Sequence, residues 1–264
     1  MNQGKVYLIG AGPGDPKLLT LRAVEVLAES DVILMDYLVS REVLAHARQG
    51  VEVIDCGKRA GHHCMDQKEI QRILIERARR GQIVARLKGG DPFIFGRGGE
   101  EAEALVEAAI AWEVIPGISS GVAAAAYAGI PLLHRSHASS VAFVTGHDGH
   151  EHVVGAQGAD TLVIFMCGST ILQIARELMA SGRVPSTPLA LILSGTRSNQ
   201  AVYTGTLMEL ARMERIELAS PVLAVVGNVT TLADKLHWFG SPPKPLRLLA
   251  APVTAGSRHH LQGA

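Results

Sequence analysis

Residues 87–101 read Leu-Lys-Gly-Gly-Asp-Pro-Phe-Ile-Phe-Gly-Arg-Gly-Gly-Glu-Glu, the most informative stretch of the chain. The apolar residues 83–87 predict a buried strand that leads directly into this glycine-dense segment. Glycine has no Cβ, so its backbone N–H and C=O groups approach a bound molecule closely. The Asp, Arg and Glu residues between the glycines supply charge. The stretch therefore predicts a ligand-binding loop after a strand.

A second loop of the same character lies near the N-terminus, where residues 10–16 read Gly-Ala-Gly-Pro-Gly-Asp-Pro. It follows a predicted strand at residues 5–9 and precedes a helical pattern that begins near Leu18. Either loop alone is explained equally well as a tight strand-to-helix turn. Because both follow strands and both carry Asp-Pro, we expect them to line one ligand cleft.

Strand and helix patterns alternate through the first 117 residues. The predicted strands cover residues 6–9, 32–35, 51–54, 83–87 and 114–115, and the predicted helices cover residues 18–29, 41–47, 67–80 and 100–111. Asp66 and Glu69 have the spacing of a capping box, and Gly81 follows the basic end of that helix. This alternation is typical of an α/β lobe with a parallel sheet.

Strand patterns outnumber helices from residue 118 onward. The predicted strands cover residues 141–145, 161–166, 189–193, 201–204 and 221–226, and the helices cover residues 171–181, 207–213 and 230–239. This composition predicts an α+β lobe with a mixed sheet. We expect an N-terminal lobe over residues 1–117, a C-terminal lobe over 118–240, and a tail without period over 241–264.

Composition limits the class of protein. The 264 residues include 25 Lys and Arg and 25 Asp and Glu, and 47% are hydrophobic. A large core with no net charge argues against a nucleic-acid or membrane-surface partner. The apolar runs are shorter than the roughly 20 residues of a membrane helix. With three scattered cysteines, the chain is predicted to be a cytoplasmic protein without disulfides.

Several common sites are excluded by their motifs. Asp15 stands where a dinucleotide-binding loop needs its third Gly, and a carboxylate there would repel a pyrophosphate. The chain has no phosphate-binding Gly-x-x-x-x-Gly-Lys-Ser/Thr loop. The histidine-rich segments 62–64 and 147–152 lack a familiar ligand spacing. We predict no metal site.

Two charged residues follow predicted strands at equivalent places. Asp36 comes directly after the strand 32–35, and Lys58 follows the strand 51–54 after Gly57. Open α/β sheets bind ligands outside the carboxyl ends of their strands. Each residue alone is explained as well by a solvated turn charge. The pair together favours a functional site.

These motifs together resemble the uroporphyrinogen-III C-methyltransferases of the tetrapyrrole methylase family. The resemblance runs from about residue 6 to 239, and it is carried by GAGPGDP from Gly10, VILMDYLVS from Val32, GKRAGHH from Gly57, LKGGDPFIFGRGGEE from Leu87, PGISS from Pro116, GIPLLHR from Gly129 and VTGH from Val144. It implies two α/β lobes that hold S-adenosylmethionine in the cleft between them, and a homodimer. It also implies methylation of uroporphyrinogen III at C2 and C7, giving precorrin-1 and then precorrin-2 for sirohaem, cobalamin or haem d1.

The resemblance also implies roles for individual residues. The implied cofactor contacts are Pro13, Gly89, Gly90, Asp91, Ile94, Ser119, Ser120, Met166 and Gly195. The implied catalytic residues are Asp36 as proton acceptor and Lys58 as proton donor, with Arg97 and Glu100, and the implied substrate contacts are Lys58, Arg97, His134 and Arg135. The substrate carries eight carboxylates, which guanidinium groups bind well. Because a guanidinium is not expected to deprotonate, we interpret Arg97 as a carboxylate clamp rather than a base.

Two points stay open at the level of the sequence. Asp36 and Glu100 both qualify as the carboxylate that accepts the proton released after methylation. Tyr37 stands where many relatives have Arg, His137 replaces a commoner Tyr, and the segment 148–158 is short. The alternatives to the predicted enzyme are a methyltransferase of the same fold with a later corrin, protein or RNA substrate, and a tetrapyrrole-binding protein without turnover.

Overall fold

The computed structural model describes residues 4–57, 65–147 and 151–249. The described chain forms two β-sheets with helices packed against them, so the predicted α/β class is confirmed. The first sheet uses strands from residues 5–115 and the second uses strands from residues 141–245. No helix of this described part is long and apolar enough to cross a membrane.

The first sheet is parallel throughout, in the order β3-β2-β4-β1-β5. Its strands are β1 (Lys5–Gly10), β2 (Val32–Met35), β3 (Glu52–Asp55), β4 (Ile83–Lys88) and β5 (Ala111–Ile115), and its helices are α1 (Leu21–Glu29), α2 (Gln67–Arg79) and α3 (Gly98–Glu107). Successive strand residues point to opposite faces. Ile9 and Ile33 therefore pack with α1 on one face, and Leu8 and Leu34 pack with α2 and α3 on the other.

The second sheet is mixed and has the order β11-β9-β8-β10-β7-β6. Its strands are β6 (Val141–Thr145), β7 (Thr161–Phe165), β8 (Pro188–Leu193), β9 (Ala201–Thr206), β10 (Val222–Val226) and β11 (Lys244–Pro245). Its helices are α4 (Ser120–Tyr127), α5 (Glu151–Gly155), α6 (Ile171–Ala180), α7 (Leu207–Ala211) and α8 (Ala233–Leu236). Helices α6 and α7 cover one face, and α4 with α8 covers the other. The domain limits at residues 117 and 240 stay a prediction.

The cap residues predicted for α2 are in place. The carboxylate of Asp66 accepts a hydrogen bond from the Glu69 backbone N–H at 2.7 Å. Gly81 ends the helix with φ of 81°, a left-handed conformation that glycine adopts without strain. Only half of the predicted capping box is observed, because the Glu69 carboxylate pairs with Arg72 instead.

Three expectations about local structure were wrong. Helix α3 ends at Glu107 rather than at residue 111, because Ala109 reverses the chain with φ of 53°, and β5 begins at Ala111, three residues before the strand predicted at 114–115. Residues 41–46 form a 3-10 helix. The first residues of the predicted tail are ordered secondary structure, because β11 pairs with β9. Leu246 is buried in the core beside α7, where it fills the space over Gly205.

Candidate functional site

Three loops meet at the carboxyl edge of the first sheet. Loop 1 (residues 10–16) follows β1, loop 2 (residues 89–97) follows β4, and loop 3 (residues 116–119) follows β5. Gly90 N donates to Gly12 O at 2.7 Å, and Gly12 N donates to Gly90 O at 3.2 Å. Gly117 N donates to the Asp91 carboxylate at 3.0 Å, and Phe93 N donates to its other oxygen at 2.8 Å. Asp91 therefore joins loop 2 to loop 3.

Glycine is required where these loops touch. A Cβ on Gly117 would lie 2.3 Å from Gly90 O, and a Cβ on Gly10 would lie 2.5 Å from the Gly117 Cα. Gly90 itself has φ of 68°. The tight-turn and ligand-binding explanations for these glycines are therefore compatible, because close backbone packing brings the loop amides together.

Backbone strain is concentrated around the same loops. Non-glycine residues with positive φ in this region are Phe95 (52°), Arg97 (58°), Met166 (54°), Ser194 (50°) and Thr196 (68°). Each such conformation costs on the order of 1–3 kcal/mol and persists only where the surroundings enforce it. Strain of this kind clusters at ligand-binding sites, which supports a functional role for the loops.

The N-terminus of α4 faces loop 2. Ser119 caps the helix, and its hydroxyl accepts from Gly121 N at 3.3 Å. The backbone N of Ser120 lies close to Gly90, where it is 3.5 Å from the position of a Cβ. Unpaired N–H groups at a helix N-terminus attract anionic groups. Ser119 and Ser120, both predicted to contact the cofactor, thus lie beside Gly90 of loop 2.

The second sheet contributes the opposite side of the site. Met166 follows β7 and is half-exposed, while Gly195 follows β8 and packs against Ala124 of α4. The ring of Phe165 lies 4.9 Å from the ring of Phe95 in loop 2. All nine predicted cofactor residues thus lie on loops 1 to 3, at the start of α4, or at the carboxyl ends of β7 and β8.

Hydrogen bonds also connect the loops of the two sheets directly. Asp15 N in loop 1 donates to the Thr196 hydroxyl at 3.2 Å, and the Tyr127 hydroxyl donates to the Asp15 carboxylate at 3.2 Å. The Arg197 guanidinium donates to Leu38 O at 2.6 Å. The last of these bonds holds the segment after Asp36 against the loop after β8.

Asp36 belongs to a buried cluster of charges that sequence reasoning missed. Its Oδ1 accepts from Arg86 Nη2 at 2.5 Å. Arg86 Nε and Lys88 Nζ both donate to Glu101 Oε1, at 3.0 and 2.9 Å. A signal was present, because Arg86 and Lys88 interrupt an apolar strand at alternate positions and thus face the same side of the sheet.

Burial and charge perturb the titration of this cluster. Burial lowers the pKa of Lys88, and the nearby Arg86 charge lowers it further. Burial opposes the charge of Arg86 too, yet the Asp36 and Glu101 carboxylates raise its pKa above the usual value. Burial raises the pKa of the adjacent Cys56 thiol to about 11. The cysteine is therefore a neutral packing residue.

Arg97 and Glu100 form a separate and exposed pair. Arg97 Nε and Nη2 donate to the two Glu100 carboxylate oxygens at 2.8 and 2.7 Å. The hydrogen bonds that Arg97 donates to Glu100 raise the pKa of Arg97 and lower the pKa of Glu100. Arg97 therefore stays charged, as a carboxylate clamp requires, and Glu100 has both oxygens occupied.

The structure does not bring every predicted residue to the loops. His134 and Arg135 are exposed, and the contacts of His134 are with Ser136, His137 and Ala138 of its own segment. Their place in the substrate site stays a prediction. Residues 58–64, which include Lys58, and residues 148–150 lie outside the described chain.

Exposed apolar side chains surround the cleft. They are Tyr37 and Leu38 after β2, Phe93, Ile94 and Phe95 in loop 2, Ile118 in loop 3, and Met166 after β7. An exposed apolar patch of this kind marks a ligand or partner site. A groove of about 720 Å³ lies at the opposite end of the second sheet, and Arg183 in its lining donates hydrogen bonds to three backbone carbonyls.

Comparisons with known proteins identify the family of the chain. Uroporphyrinogen-III C-methyltransferase of Bacillus subtilis is 50% identical over 250 residues, which cover 91% of this chain and 96% of that one. Siroheme synthase 1 of Yersinia enterocolitica is 46% identical over 257 residues, 96% of this chain and 54% of that one. The chain thus spans about half the length of the siroheme synthases it matches.

Solved structures match as well. The uroporphyrin-III C-methyltransferase of Thermus thermophilus complexed with S-adenyl homocysteine has a TM-score of 0.77 at 38% identity, covering 86% of this chain and 99% of that one. A cobalt precorrin-4 methyltransferase has a TM-score of 0.74 at 27% identity, covering 86% and 95%. The resemblance and the fold predicted from the sequence are confirmed. The family profile matches residues 5–211, and the chain belongs to the tetrapyrrole (corrin/porphyrin) methylases.

Proposed function

We propose that the protein transfers methyl groups from S-adenosylmethionine to C2 and C7 of uroporphyrinogen III, giving precorrin-1 and then precorrin-2. The observation that carries this proposal is the meeting of loops 1 to 3 and the N-terminus of α4 beside the carboxylate of Asp36. The name of the Bacillus subtilis relative, which matches over nearly its full length, supports the same substrate.

The residues present fit the methyl donor. Family members use S-adenosylmethionine, which supplies an electrophilic methyl group on a sulfonium centre. Backbone groups of Pro13, Gly89 and Gly90 would hold it closely, because glycine has no side chain to keep a ligand away from the backbone. The N-terminus of α4 at Ser119 and Ser120 suits its carboxylate. Half-exposed Met166 offers an apolar surface for its uncharged part.

The rest of the cleft fits a large apolar ring with many carboxylates. The aromatic and aliphatic side chains of loop 2 offer contact area for the macrocycle. Arg97, oriented by Glu100, presents a planar fork suited to a carboxylate. Lys58, His134 and Arg135 complete the proposed set of substrate contacts. Rate then comes mainly from holding the acceptor carbon against the methyl group.

The structure favours Asp36 over Glu100 as the proton acceptor. Both oxygens of Glu100 accept hydrogen bonds from Arg97, whereas Asp36 accepts from Arg86 at Oδ1 and has Lys88 Nζ 3.8 Å from Oδ2. Asp36 is one-third exposed, so a proton taken from the substrate has a path to solvent. We assign the acceptor role to Asp36 and the clamp role to Arg97.

The proposal extends to assembly and setting. A homodimer in the cytoplasm is what the family resemblance implies, and the product would enter sirohaem, cobalamin or haem d1 synthesis. Sedimentation equilibrium of the purified protein tests the dimer, since a single species of monomer mass would contradict it.

Anaerobic incubation with uroporphyrinogen III and S-adenosylmethionine tests the activity. A gain of two methyl groups by mass, with the absorbance change of precorrin-2, is the expected result. A single methyl group would show that the second transfer fails and would direct attention to Tyr37. No methylation by a protein that still binds the cofactor would refute the proposed substrate and favour a later corrin enzyme or a binding protein.

A further inference from the structure

Four charged side chains form a cluster under the proposed substrate site. Arg86 and Lys88 of β4 are each 2% exposed, Glu101 of α3 is 0% exposed, and Asp36 is 33% exposed. Two cations and two carboxylates give the ionised cluster no net charge. Only Asp36 reaches the cleft, so the other three side chains act on a ligand only through it.

Arg86 connects the two carboxylates. Its Nη2 donates to Asp36 Oδ1 at 2.5 Å, and its Nε donates to Glu101 Oε1 at 3.0 Å. Glu101 Oε1 also accepts from Lys88 Nζ at 2.9 Å and from Gln67 Nε2 at 3.1 Å. Three donors thus hold the anchoring carboxylate in one orientation, and the rigid guanidinium transmits that orientation to Asp36.

Stability does not account for this arrangement. Buried ion pairs are often no more stabilising than apolar residues of the same size, because the charges lose their hydration. Within the described residues Glu101 Oε2 is buried without a hydrogen-bond partner, which is a further cost to the fold. Groups arranged at such cost near a site are better explained by what they do there.

We propose that Arg86, anchored by Glu101, is a positioning residue for Asp36 in the methylation proposed above, on which this inference rests. Arg86 occupies Oδ1 of Asp36 and leaves Oδ2, 3.8 Å from Lys88 Nζ, to take the proton. After methyl transfer the macrocycle carries one positive charge. A C–H bond of the macrocycle then breaks, its electron pair neutralises the ring, and the proton forms an O–H bond at Oδ2.

The substitution Arg86→Lys tests this inference because it keeps the charge and removes the two-ended bridge. Single-turnover methyl transfer should slow by about tenfold or more, with the KM for the tetrapyrrole and the Kd for S-adenosylmethionine within about twofold of wild type. Asp36→Asn and the double variant complete a cycle. If Arg86 acts through Asp36, the double variant should be no slower than Asp36→Asn alone.

Two further variants keep the test decisive. Glu101→Gln retains the acceptor oxygen and the shape, so it should fold if Arg86→Lys does not, and it should show the same selective loss. Arg77→Lys is the matched control, because Arg77 bridges α2 to Glu52 of β3 on the surface at 2.8 Å, and its rate should equal that of wild type.

The outcomes separate the inference from the proposed function. Wild-type rates in Arg86→Lys and Glu101→Gln, or losses that multiply in the double variant, would overturn the positioning role while leaving the methylation intact. A wild-type protein that cannot methylate uroporphyrinogen III would overturn the proposed function, and the positioning role with it.

Discussion

Replacing Gly117 with alanine should weaken cofactor binding more than any change at a neighbouring open glycine. A Cβ at this position would lie 2.3 Å from Gly90 O, whereas ordinary contact begins at 3.4 Å. Loops 2 and 3 must therefore separate by about 1 Å, since both partners are backbone. The separation strains the Gly117 N to Asp91 bond of 3.0 Å and the Gly90 N to Gly12 O bond of 2.7 Å.

The energies add up to a measurable loss. Overpacking costs about 1–3 kcal/mol, and each weakened hydrogen bond costs about 1 kcal/mol. If about half of this free-energy cost applies only to the cofactor-bound conformation, the affinity for the cofactor drops roughly tenfold or more, since 1.4 kcal/mol corresponds to a factor of ten. The remainder lowers the free energy of unfolding.

Calorimetric titration with S-adenosylhomocysteine and urea unfolding measure the two parts. Gly99→Ala is the matched control: a Cβ at Gly99 meets nothing within 4 Å, and the residue lies in the first turn of α3. The control should bind as wild type does. A Gly117→Ala protein with wild-type affinity and unfolding midpoint would refute the steric argument for the meeting of the loops.

Three further predictions concern single side chains. Asp91→Ala should abolish S-adenosylmethionine binding, because both of its oxygens bond loop amides; retained affinity in calorimetry would contradict its assignment. Arg97→Lys should raise the KM for the tetrapyrrole and leave cofactor affinity unchanged, because lysine keeps the charge but loses the planar fork; an equal loss of both would count against the clamp. Hydrogen bonds from Ser139 and Ser140 hold the pKa of Asp160 at about 2, so this depressed pKa stabilises the fold above the unfolded value of about 3.9. The difference in melting temperature between wild type and Asp160→Ala should therefore be largest near neutral pH and shrink as pH falls toward 2. A difference independent of pH would exclude this source of stability.

Local patterns were sufficient for most elements of the first sheet. Runs of Val, Ile and Leu identify β1, β2 and β4 within a residue or two, and the Asp66 cap marks the start of α2. Element ends were less predictable. The end of α3 depends on the turn at Ala109 and on the pairing of β5 with β1, which involves residues about a hundred positions apart.

The sequence did not reveal which of the neighbouring residues Glu100 and Glu101 is exposed and which is buried. Glu100 and Glu101 are identical in type and adjacent, yet Glu100 faces solvent with Arg97 while Glu101 is buried with Arg86. The rotation of α3 about its axis decides this, and that rotation is set by how Ala102 and Leu105 pack on the sheet. No local pattern contains that information.

The chain's own residues determined the glycine-rich loops, the strands that precede them and the family, because these depend on backbone freedom and on periods of a few residues. Only the tertiary structure decided which groups meet. Register places Asp36 beside β4, and helix packing buries Glu101. Three loops meet at Gly10, Gly90 and Gly117, and a Cβ added to Gly10 or Gly117 would lie only 2.3 to 2.5 Å from neighbouring backbone. The physical reason is that such contacts join residues distant in sequence, whose geometry is set by the packing of whole elements.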